Sequence, residues 1–181
     1  MDRPTAQALM PGLIWVAFGF TGVIGLGKSF MAELHNDCLE HLQISPIPKA
    51  AVYVGKLSGN VLLMLAVEMS LLPMFVLFFN LEVFSALPIV LGIVFLGTVG
   101  LAALGTLFSA MTAQTRAREV LLPILLLPPA LPVIIGAVEA TRGALLGDPL
   151  ALYQPWIELL VVVDIVFTVM SVWLFEFVLD H

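Results

Sequence analysis

The chain has 181 residues, of which 61% are hydrophobic and only 11% charged, with a net charge of -6 and a mean hydropathy of +1.10. That leaves too little polar surface to cover a water-soluble globule, so a soluble domain is excluded and no nucleic-acid partner is expected. Five apolar runs, at about residues 9–27, 57–79, 83–111, 119–140 and 156–178, are each long enough to cross a bilayer as a helix. The expected fold class is all-α: a polytopic membrane bundle of five transmembrane helices, forming one domain over residues 1–181 and surrounded by membrane lipid.

The first nine residues do not assemble a basic leader, a short apolar stretch and a cleavage site, so the first run is expected to stay in the protein. Its end, GVIGLGKS at residues 22–29, matches the phosphate-loop pattern G-x-x-x-x-G-K-[ST] letter for letter. That chemistry needs a strand feeding the loop and a helix leaving it, so that backbone amides cradle the phosphates. Here a long apolar run precedes the motif and no βα alternation follows. The expectation is a glycine-rich helix end, with Lys28 at the cytoplasmic surface and no nucleotide bound.

Between Lys28 and Lys56 lies the longest polar connection. Phe30, Leu34, Cys38 and Leu42 recur every fourth residue, while Glu33, Asp37, Glu40 and His41 take other faces. Pro46 and Pro48 should stop the helix. This predicts a short amphipathic cytoplasmic helix, either lying on the membrane interface or docking a soluble partner. Spans two and three should form a hairpin around the FNLEV stretch at residues 79–83. Span three carries Gly92, Gly97, Gly100 and Gly105, the last pairing with Ser109 as small-xxx-small, which suits close helix packing within one subunit or between subunits.

The next connection, TAQTRARE, is a short turn with Arg116 and Arg118. Span four contains Pro123, Pro128, Pro129 and Pro132, each lacking a backbone donor, so it is expected to be kinked or broken. Residues 141–155 should form the one sizeable external connection, with Tyr153 and Trp156 at the membrane interface. By the positive-inside rule, Lys28, Lys49, Lys56, Arg116 and Arg118 mark the cytoplasmic side, against Arg3 and Arg142 outside.

Two acidic residues fall inside the spans, Glu68 and Asp164. A charge at that depth costs about 2.5–3.5 kcal/mol on insertion scales, so both should face the bundle interior and not lipid. No basic residue lies deep enough to pair with them. A substrate pathway, a proton relay and a hydrogen-bond lock between helices all fit. The lone Cys38 and the cytoplasmic His35, His41 and His181 show no metal or haem-attachment spacing, so no bound cofactor, metal or catalytic residue is expected.

In order, PGLIWVAFGFTGVIGL, CLEHLQISPIPKAAVYVGK and LLPILLLPPALPVIIGAVEA resemble the haem exporter protein B family, and the likeness covers nearly the whole chain. The resemblance implies a six-span permease subunit of an ABC transporter in the bacterial inner membrane, serving c-type cytochrome biogenesis. It also implies a separate ATPase subunit, other cytochrome c maturation subunits, a permease homodimer, and haem as the transported substrate or as cargo on a released chaperone. The segment around Glu33, Asp37, Glu40, Leu42 and Pro46 then corresponds to the coupling helix that receives the ATPase stroke. Glu68 and Asp164 are candidates for an intramembrane pathway. The family has a further span before the segment starting at Pro11, so this chain is expected to lack the family's first helix. A permease for a lipid, drug or polysaccharide, a membrane enzyme and a non-transporting scaffold are the competing readings.

Overall fold

The structure, a computed structural model, describes residues 3–34, 48–79, 86–112, 115 and 117–178. Among them are five helices and no strand: α1 (Arg3–Leu34), α2 (Lys49–Phe79), α3 (Leu87–Thr112), α4 (Arg118–Leu146) and α5 (Leu150–Val178). Each contains a stretch long and apolar enough to cross a membrane. Helices are the form in which one segment satisfies its own backbone donors and acceptors where water is absent. The expected all-α polytopic bundle is what the chain builds.

Several boundaries differ from the sequence expectation. The first helix does not end at Lys28 but continues to Leu34, so Phe30 and Leu34 belong to the same helix as the first span. The second begins at Lys49, which puts Lys56 within the helix, and the third begins at Leu87. Residues 141–155 are not a sizeable connection. Helix α4 runs to Leu146 and α5 starts at Leu150. Hydropathy reads Thr141 to Gly143 as polar loop, yet Arg142 stays within the helix and meets Glu139, three residues back, at 3.3 Å on the surface.

The reversal between α4 and α5 is made by Gly147, whose φ of 71° lies in the left-handed region. The Asp148 amide donates to the Gly143 carbonyl at 3.0 Å, closing the helix end, and Pro149 prevents its continuation. The four prolines of α4 do not break it; all lie inside one helix that packs along both α3 and α5. Neighbouring helices are the usual support for a proline-bearing membrane helix.

Helix α3 packs against all four others and occupies the centre of the bundle. Its small residues make this fit possible. Gly97 sits under the Trp15 ring of α1, Gly105 under Leu26 of α1, and Gly100 against Val133 of α4 and Asp164 of α5. These three glycines serve packing inside the subunit, whereas Gly92 faces open space. Tyr153, in the first turn of α5, is buried against Gly143.

Candidate functional site

The inward face of α2 is a stripe of Tyr53, Leu57, Asn60, Met64, Glu68 and Leu72, spaced by three and four residues and buried along its length. Its polar members meet α3. The Tyr53 hydroxyl donates to the Ala103 carbonyl at 2.9 Å, and Asn60 Nδ2 donates to Thr106 Oγ1 at 2.9 Å. Eight residues further along α2, Glu68 Oε2 lies 2.6 Å from Thr98 Oγ1, eight residues back along α3, as two antiparallel helices require. Glu68 is 1% exposed and its other oxygen has no hydrogen-bond partner.

Asp164 approaches α3 from another side. It is 6% exposed, and neither carboxyl oxygen has a hydrogen-bond partner. Its Oδ1 lies 2.5 Å from where a side chain on Gly100 would begin, so any larger residue there would displace the carboxyl. Both acids therefore face the interior and not lipid, in agreement with the cost of a charge at that depth. They do not form one cluster. Thr98 and Gly100 are two residues apart on α3, about 200° around a helix of 3.6 residues per turn, so the central helix stands between the two carboxyls.

Toward the end of the bundle that holds the start of α1, the Trp15 indole Nε1 donates to Thr141 Oγ1 at 3.0 Å, tying α1 to α4 across α3. Beside it is an apolar cavity of about 10 Å³, bordered by Met10, Ile14, Leu72 and Val90. That is roughly the room for one water molecule and far too small for an organic substrate.

Residues 22–29 lie within α1 and have helical backbone, which is not the loop that a phosphate cradle needs. Of the expected coupling residues, Glu33 is on the last turn of α1, while Asp37, Glu40, Leu42 and Pro46 lie outside the described residues. Among the described residues no group of three or more His, Cys, Asp or Glu side chains could hold a metal ion.

Sequence reasoning found both carboxylates but missed Thr98, which meets Glu68, and the other buried polar contacts between helices. Thr98, Asn60, Thr106, Trp15 and Thr141 are all members of the buried polar contacts. A signal was present on α2: Tyr53, Asn60 and Glu68 share the spacing of the apolar residues between them, which marks one helix face.

The chain is 28% identical over 162 residues to heme exporter protein B of Pseudomonas aeruginosa, covering 90% of this chain and 72% of the relative. It is 30% identical over 148 residues to the protein of the same name from Paracoccus denitrificans, covering 81% and 67%, and 29% identical over 148 residues to that of Haemophilus influenzae, covering 82% and 66%. The family profile described as CcmB protein matches residues 2–180, and with four other apolar helices packed around α3 this chain belongs to that family.

Proposed function

We propose that this chain is the membrane-spanning permease subunit of a haem exporter that serves c-type cytochrome biogenesis in the bacterial inner membrane. The observation that carries this is the family match across residues 2–180, joined to a bundle that contains five helices fit to span a membrane. The curated relatives bear the name heme exporter protein B.

ATP hydrolysis is assigned to a separate subunit. In support, the phosphate-loop match at residues 22–29 is helical in α1. The acidic segment around Glu33, Asp37, Glu40, Leu42 and Pro46 is assigned the contact with that ATPase, on the side marked cytoplasmic by Lys28, Lys49 and Lys56. A permease homodimer and the other cytochrome c maturation subunits complete the assembly. Glu68 and Asp164 are assigned to the intramembrane path, one on each side of α3, where they supply the acidic groups at mid-bilayer depth. Haem is substrate and not a resident cofactor of the chain.

Deletion of the gene in a host with no second maturation system should remove covalently attached haem from gels stained for it, while b-type cytochromes, whose haem is held without a covalent bond, keep their spectra. Normal covalent haem bands in the deletion strain would overturn the assignment.

A further inference from the structure

The strongest unexplained geometry is at Thr98. Its hydroxyl oxygen lies 2.6 Å from Glu68 Oε2 and 2.7 Å from the Val94 carbonyl oxygen. A hydroxyl has one hydrogen to donate, and both neighbours accept when Glu68 is ionised. The contact with Val94, one turn back on the same helix, is the bond that threonine ordinarily makes inside a helix. Both contacts compete for the only hydrogen that Thr98 has. The two can be hydrogen bonds at once only when Glu68 brings a second hydrogen.

We propose that Glu68 is a proton-binding site at mid-membrane, a neutral acid that donates from Oε2 to Thr98 Oγ1 while Thr98 donates to the Val94 carbonyl. This deepens the pathway reading of Glu68 without depending on what the protein carries. The arrangement gives every close oxygen pair one hydrogen, joins α2 to α3 by a directed chain of two hydrogen bonds, and leaves Glu68 Oε1 as a carbonyl oxygen, which tolerates having no donor better than a carboxylate does.

The surroundings agree. Glu68 is 1% exposed, beside Met64 and Leu72 on its own helix face. Helix α3 brings Thr98 to it and no charged side chain, because none occurs in Leu87–Thr112. On α1, the stretch Leu9–Gly27 carries no Asp, Glu, Lys, Arg or His, and on α5 the acid at this depth, Asp164, meets the other face of α3. Lys56 is three turns away along α2. No cation among the described residues faces Glu68 to hold it ionised, and a lone negative charge at this depth is expensive.

Infrared spectroscopy of the protein in liposomes tests this at neutral pH. A carboxylic-acid carbonyl band is expected, separate from the carboxylate bands, that shifts when glutamate alone is carbon-13 labelled and disappears in Glu68→Gln. Thr98→Val keeps the carboxyl but removes its acceptor, so it should move the band to higher frequency. The labelled native protein needs no substitution, so the test survives a variant that fails to fold. Absence of an acid band in labelled native protein would overturn the proposal, as would a band unmoved by Glu68→Gln and by Thr98→Val. A band seen only after sodium is replaced by choline would also overturn it, in favour of a bound alkali cation. Because this readout is independent of cytochrome maturation, failure of the haem assignment and failure of the proton site are distinguishable.

Discussion

Replacing Gly97 by alanine should destabilise the bundle, although alanine is the better helix former. Two effects oppose each other. Alanine in place of a helical glycine gains about 0.5–1 kcal/mol from reduced backbone entropy. At Gly97, however, the new methyl group would collide with the Trp15 ring, which is fully buried and cannot swing into free space. Overpacking of that kind costs about 1–3 kcal/mol. Moving the ring also strains the 3.0 Å bond from Trp15 to Thr141, and such bonds contribute about 0.6 kcal/mol on average in membrane proteins. The expected net loss is about 0.6–3 kcal/mol, with the collision and the strained bond outweighing the propensity gain. Gly92 on the same helix provides the control, since nothing lies within 4 Å of a side chain built there. Gly92→Ala keeps the propensity gain and should be neutral or stabilised by up to about 1 kcal/mol. Reversible unfolding by sodium dodecyl sulfate in mixed micelles, followed by tryptophan fluorescence and helical circular dichroism, measures both. Equal midpoints for Gly97→Ala and Gly92→Ala would refute the argument, because they would mean that the ring does not rest on Gly97.

A double-mutant cycle between Trp15→Phe and Thr141→Val should give a coupling of about 0.6 kcal/mol, with a ceiling near about 1.7, in the same unfolding assay; zero coupling would show that the bond between α1 and α4 adds nothing. Replacing Glu33, Asp37 and Glu40 together by alanine should lower co-purification of the ATPase subunit, or uncouple its turnover, while the helical spectrum stays unchanged, and unaltered association with unaltered coupled turnover would count against the docking role.

The family resemblance, the class of fold and the approximate spans were legible in the residues, because a bilayer imposes one requirement that a linear chain displays openly. About twenty consecutive apolar residues must appear for each crossing, whatever the helix later packs against. The same cost argument placed Glu68 and Asp164 inside the bundle, since an acid facing lipid would be penalised in any arrangement of five helices. It could not say that the two are kept apart. That depended on α3 taking the central position, which follows from Gly97, Gly100 and Gly105 admitting Trp15, Leu26 and Val133, and close fit between distant segments leaves no period in the sequence. The helix ends were misjudged for a related reason. Hydropathy reports where polar residues begin, whereas a membrane helix can continue past Lys28 or Arg142 as long as its backbone bonds are made and its charges reach the surface. The Thr98 contact belongs wholly to the tertiary structure: threonine is an ordinary helix residue until an acid from α2 is set 2.6 Å from its hydroxyl, and the count of hydrogens then decides the chemistry.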